Sequence, residues 1–182
     1  MKGPLVTLPV RRLAVALVLG AALATSGCGT TEANRAAVVD GDVITETEVQ
    51  EAMSQVNSMD PALLQSALTP TSTLTALIQA PVVLDYLAGK GIVASESMAR
   101  EDARQRGVGE PNDSTLEIIR FATALTTAQQ NAALGQAEQI ELSEALREQE
   151  VVVNPRYGEF DAESAAVAAA TPAWIEPYTT GQ

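Results

Sequence analysis

The chain has no histidine, a single cysteine, and aromatic side chains at only 3% of its 182 residues. Without histidine the commonest general base and metal ligand at neutral pH is missing, so the usual hydrolytic triads and imidazole metal sites are excluded. A lone cysteine forms no internal disulfide, and nothing covalent cross-links the fold. Cations are scarce too: 11 Lys and Arg stand against 23 Asp and Glu, for a formal net charge of −12. Such a balance repels phosphate backbones and anionic headgroups, which disfavours nucleic-acid binding and electrostatic docking to membranes.

Cofactor and metal motifs are equally thin, and neither a cofactor nor a metal is expected. Gly107-Val108-Gly109 opens like a dinucleotide loop, but Asn112 stands where the third glycine belongs and the run follows a helix instead of a strand. Asp40-Gly41-Asp42 starts like a calcium loop, yet Ile44 occupies a ligand position. Glu138, Glu141, Glu144 and Glu148 recur at helical spacing and read as a solvated face. No catalytic residue is expected, and the chain is not read as an enzyme.

What is present begins with a secretion signal over residues 1–27. Lys2, Arg11 and Arg12 precede an uncharged apolar run, Leu13 to Leu23, which leads into small residues. That run is shorter than the roughly 20 apolar residues a membrane span needs. The segment Thr25-Ser26-Gly27-Cys28 resembles a bacterial lipobox, with threonine in place of the usual leucine. The resemblance implies lipidation of Cys28, an extracytoplasmic chain anchored to the cell membrane by that lipid, and a flexible tether over residues 28–35.

Periodicity then predicts a series of helices. Thr45 and Glu48 form a capping box ahead of Val49, Ala52, Met53 and Val56, one apolar stripe. Asp60-Pro61 starts a short helix predicted to end at Leu68. The most apolar helix runs from about Thr71 to Ala88, with a kink or break expected at Pro81. Ser95 caps a helix over Glu96 to Arg106, ended by Gly107. Ser114 and Glu117 read as a second capping box before Ile118, Ile119, Ala122 and Leu125, and a last helix is predicted over Ala128 to Gln149. Residues 162–182 are rich in alanine and proline, with Trp174 as landmark, and read as a partly disordered tail.

Strand signals flank this helical stretch. Val151-Val152-Val153 runs into Asn154-Pro155-Arg156-Tyr157-Gly158 and reads as a short strand and turn, while Asp40-Gly41 between two apolar runs reads as a tight turn between extended segments. Pairing the upstream segment Ala37 to Ile44 with Val151 to Phe160 closes the helices into one unit. In this order the two stretches resemble the N-terminal peptide-binding domain of SurA-type periplasmic chaperones, in the wider trigger-factor and SurA family, whose helical domain ends in a "VxVNPRYGxF/W" strand. Gly91 to Glu96 resembles the same family's crossover step. The expected fold class is therefore mainly α: a SurA-N-like helical domain over residues 36–161, closed by a short β-pairing of an N-terminal and a C-terminal segment.

The resemblance implies an ATP-independent holdase-type chaperone whose partners are unfolded or partly folded exported proteins. It does not imply prolyl isomerase activity, since the chain lacks the length and the histidines of a parvulin domain. The client surface is expected at exposed apolar side chains, with Met53, Met59, Tyr86 and Phe121 as candidates; methionine suits promiscuous contacts because it repacks easily. An envelope adaptor or structural lipoprotein that binds one partner through the same scaffold is the alternative, motivated by the acidic surface.

Overall fold

The computed structural model describes residues 34–168. The signal peptide, Cys28 and Trp174 lie outside the described residues. Among the described residues the elements are β1 (Arg35–Val39), β2 (Asp42–Thr45), α1 (Glu46–Asn57), α2 (Pro70–Gly89), α3 (Glu96–Gln105), α4 (Asp113–Gln130), α5 (Gln136–Arg147), β3 (Val151–Val153), β4 (Glu159–Asp161) and β5 (Ala166–Ala168). The fold is mainly helical, with one three-stranded and one two-stranded antiparallel sheet.

The first sheet is organised by its turn. Asp40 and Gly41 both take positive φ, 52° and 94°, the conformation whose twist matches two flanking antiparallel strands. β1 pairs with β2 on one side (Val38↔Val43) and with β3 on the other (Val38↔Val152). Each end of the β1–β3 pair is tied. The Asp40 N–H donates to the Glu150 carbonyl at 2.9 Å and the Glu150 N–H donates to Asp40 Oδ1 at 2.8 Å. At the far end the Asn154 N–H donates to the Ala36 carbonyl and Asn154 Nδ2 to the Arg35 carbonyl, both at 2.8 Å. The Asn-Pro-Arg-Tyr run is thus structural: Tyr157 enters the core, and Arg156 reaches Glu46 at 2.8 Å.

α1 follows the pattern of its sequence. Thr45 and Glu48 form the reciprocal capping box, and Val49, Ala52 and Val56 are buried while Met53 is half-buried. The next stretch departs from expectation, because residues 61–69 are not helical. Their backbone polar groups are taken up by side chains instead of a helical ladder: Asn57 accepts from the Leu68 N–H at 2.7 Å and donates to the Leu68 carbonyl at 2.9 Å. Arg106 donates to the carbonyls of Pro61 and Ala62 at 2.9 and 3.1 Å. Freed from helical geometry, Leu63, Leu64 and Leu68 all turn toward the core.

α2 starts one residue earlier than predicted, behind a Thr69–Ser72 capping box, and Pro81 does not break it. Pro81, having no N–H, removes one ladder bond, and buried Leu77, Ile78, Val83 and Leu87 hold the helix on both sides of it. α4 is capped by Asn112, whose side chain accepts from the Thr115 N–H at 2.7 Å, so Ser114 and Glu117 do not form the predicted box. Gln55 Oε1 fixes this terminus to α1 by accepting from the Asn112 N–H at 3.1 Å and from the buried Thr115 hydroxyl at 2.7 Å.

The last helix, predicted over Ala128 to Gln149, is shorter: α4 runs on to Gln130 and α5 spans only Gln136–Arg147. After α4 the chain turns through Ala132 at φ 50°, and the Ala133 N–H returns to the Ala128 carbonyl at 2.8 Å. The reversal lets Leu142 and Leu146 of α5 pack where a continuous helix would carry them away. At both ends the ordered unit exceeds the residue 36–161 span. Arg35, assigned to the tether, already belongs to β1, and residues 162–168, assigned to the tail, supply the turn and β5 of the β4–β5 hairpin. α2 holds that hairpin: Thr75 Oγ1 accepts from the Val167 N–H at 3.0 Å and Gln79 donates to the Ala165 carbonyl at 2.7 Å.

Two apolar clusters result. The larger joins the sheet to α1, α3, Tyr157, Val167 and the N-terminal halves of α2 and α4; the smaller joins Val83, Leu87, Ile92, Ala124, Ala128 and Leu142. α4 belongs to both.

Candidate functional site

α4 also forms the wall of two adjoining grooves. The first, about 500 Å³, lies against the irregular 61–69 segment, whose Leu63, Leu64 and Leu68 face Phe121 and Leu125. The second, about 580 Å³, lies against α3 and the segment leading into it, and is lined by Ile92, Val93, Met98 and Ala124. Asp102 and Arg106 border both, joined by an ion pair of 2.9 Å, as do Thr123 and Thr127. Val93 and Met98 are 69% and 64% exposed, large apolar side chains presented to solvent at the mouth of the second groove.

Local sequence explains this placement. α3 buries Ala99 and Ala103, spaced i, i+4, and these small side chains let it approach α4. Met98 is one residue out of phase with that stripe and therefore points away from the core. Ser95 caps α3 through the Met98 N–H at 3.3 Å, and Arg120 of α4 donates from Nε to the Ala94 carbonyl at 2.8 Å, which fixes the groove's edge.

The four candidates are not brought together. Met59 is 4% exposed and packs in the larger cluster, so it presents no surface; it follows the end of α1 and is drawn inward with the Leu63 and Leu64 segment. Met53 is half-buried and lines neither groove. Tyr86 is half-buried beside the smaller cluster, and its hydroxyl donates to Glu141 at 2.8 Å while Lys90 lies 5.2 Å above its ring and 3.3 Å from the same carboxylate. Partial burial and the bond to Glu141 raise the Tyr86 pKa, Glu141 raises that of Lys90, and the Tyr86 hydroxyl, followed by Lys90, lowers that of Glu141. This cluster ties α5 to α2. Phe121 alone of the four lines a groove. The residues missed were Met98, Val93, Leu63 and Leu64; Met98 carried a signal in the sequence, an apolar side chain off the Ala99–Ala103 stripe.

Chemically the grooves offer apolar contact, two arginines and several hydroxyls. Among the described residues no group of three acidic or thiol side chains is placed to hold a metal ion, and no helix is long and apolar enough to cross a membrane. No family model matches the chain, and no curated protein or solved structure matches it either.

Proposed function

We propose that this chain is a lipid-anchored extracytoplasmic holdase with a SurA-N-like helical domain, holding unfolded segments of exported proteins without ATP and without covalent chemistry. The observation that carries the reading is the pair of adjoining grooves along α4, with Val93 and Met98 presented to solvent beside them. A groove of this size takes one or two client side chains. Burying a client leucine or phenylalanine there gains about 1.5–3 kcal/mol, which suits weak, reversible capture of many sequences. The signal-like run over residues 1–27 and the resemblance of Thr25–Cys28 to a lipobox support that location, and the chain's resemblance to SurA-type chaperones points the same way.

The test is fluorescence anisotropy of a labelled unfolded peptide carrying leucine and phenylalanine anchors. Substituting Val93→Ser and Met98→Ser together should weaken binding about tenfold while the melting temperature stays within a degree or two of the parent. Unchanged affinity in a folded double variant would remove these grooves as the client site. The competing reading, an adaptor for a single basic envelope partner, draws on the net charge of −12; it predicts one stoichiometric partner recovered by cross-linking and binding that collapses with added salt.

A further inference from the structure

The β4–β5 hairpin delivers the chain to the edge of the first groove. β5 runs along α2 in the opposite direction: the Ala165 carbonyl accepts from Gln79 at 2.7 Å, and two residues later the Val167 N–H donates to Thr75 Oγ1 at 3.0 Å, one turn nearer the start of α2. Continued past Ala168, that direction leads toward Thr69 and Ser72, the capped end of α2, beside Leu68. Ala76, next to Thr75 in the helix, lines the groove together with Leu63, Leu64 and Leu68. All four pack against the cluster that contains Val167. The last described strand therefore stands one helix width, about 10–12 Å, from the groove.

Residues 169–182 lie outside the described residues, and their sequence suits that destination. Small residues lead from Ala168 to Trp174-Ile175, where the one tryptophan of the chain stands beside a second large apolar residue, and Glu176 is the single charged side chain of the segment. Trp174 is six residues beyond Ala168, a reach of up to about 20 Å, which is enough to cross α2. An indole presents a large apolar body, burying about 150–250 Å², and an N–H that is a donor only. The groove, about 500 Å³, matches both features. Leu64, Leu68, Phe121 and Leu125 supply apolar walls, while the Thr126 and Thr127 hydroxyls donate to the Ala122 and Thr123 carbonyls at 2.8 Å, which leaves their oxygens to accept.

We propose that Trp174 and Ile175 of this chain occupy the groove between α4 and the 61–69 segment, so that the tail is the groove's resident ligand and a client binds there by displacing it. Tethering sets the occupant's effective concentration on the order of millimolar, whatever the protein concentration. An occupied fraction of about nine-tenths lowers the apparent client affinity about tenfold. The groove is then reserved for segments richer in apolar anchors than the tail itself. That the displacing ligand is a client rests on the holdase reading; the docking of the tail does not.

As the only tryptophan, Trp174 is its own reporter. In the chain from residue 29 onward its emission should be blue-shifted, and its quenching by acrylamide severalfold slower, relative to a free peptide of residues 169–182, and equally so at every protein concentration. Thr126→Arg, at an exposed position that lines the groove, should fill it and return both readings to the peptide's values. Thr123→Arg should do the same, so misfolding of one variant leaves the other decisive, and Met98→Ser, which lines the second groove alone, should change neither reading. Trp174→Ser combined with Ile175→Ser should tighten binding of a labelled, tryptophan-free unfolded peptide about tenfold. An indole as exposed as that of the free peptide, or a blue shift that survives both arginine variants, would overturn the docking and leave the holdase reading to its own test. A shift that grows with protein concentration would overturn it in favour of the tail of a second copy. A docked and releasable Trp174 with client affinity indifferent to the tail would uphold the docking, overturn the displacement and take this groove out of the holdase reading.

Discussion

At the scale of single residues, Glu117 is a half-buried carboxylate whose pKa is raised, whereas those of Glu101, Glu141 and Asp161 are lowered. Burial is the largest influence and raises its pKa; Arg120 opposes the shift, and Glu48 adds to it. Asp40 and Asp42 of the facing β1–β2 hairpin line a cavity of about 330 Å³ together with Glu117. Between its unfolded and its raised folded pKa this carboxyl binds more protons folded than unfolded, so stability falls as pH rises through that window and stays lower above it. Glu117→Gln should therefore raise the melting temperature at pH 7, and the gain should shrink toward pH 4, where the parent carboxyl is largely protonated in both states; circular dichroism melts at the two pH values check it, and a lower melting temperature at pH 7 would contradict burial as the dominant cause. Thr45 is the ordinary counterpart. Removing its cap with Thr45→Ala should cost about 1 kcal/mol in urea denaturation. The Thr45–Glu48 box was legible in the sequence because no neighbour competed for those N–H groups. Ser114 and Glu117 have the same spacing, but Asn112 reaches the Thr115 N–H first and the helix starts earlier; spacing alone does not record such competition.

At the scale of elements, α4 carries both the core and the grooves, and the two roles separate by face. Ile119 is fully buried, so Ile119→Ala should cost about 2–5 kcal/mol in equilibrium unfolding. Met98→Ser on α3 should stay within about 0.5 kcal/mol of the parent, as a surface change does; a large loss there would mean Met98 packs against something in the folded chain. Asn57→Ala probes the irregular 61–69 segment. It should loosen the wall formed by Leu63, Leu64 and Leu68, raising amide exchange at Leu68 while leaving α1 protected. The amphipathic stripes of α1 and α4 were readable because they repeat at helical spacing. The 61–69 segment was not, since what holds it open are Asn57 and Arg106, the second of them distant in sequence. The division between α4 and α5 was read a little early, at Ala128: α4 runs on to Gln130, the turn is made by Ala132 at positive φ, and α5 begins only after Gly135.

At the scale of the whole molecule, the mainly helical class was legible from periodicity and the two small antiparallel sheets only in part. Val151 to Val153 announced a strand, whereas the β4–β5 hairpin was hidden in an alanine-rich run whose pairing depends on Thr75 and Gln79 of α2. The grooves were hidden for the same reason, being surfaces assembled from segments far apart in the chain. Of the predicted client residues only Phe121 reaches one, and Met59 is spent on the core. The proposed activity is an apolar one on an acidic body, and salt separates the two contributions: screening at high ionic strength suppresses attraction to the net charge of −12 and leaves hydrophobic capture in place. The most direct measurement is light scattering from a chemically unfolded exported protein diluted with increasing amounts of residues 29–182, at low salt and at moderate salt. Aggregation should be suppressed in proportion to the added chain at both salt concentrations, and the suppression should be lost in the Val93→Ser, Met98→Ser double variant. No suppression at either salt concentration, or suppression indifferent to those substitutions, would contradict it.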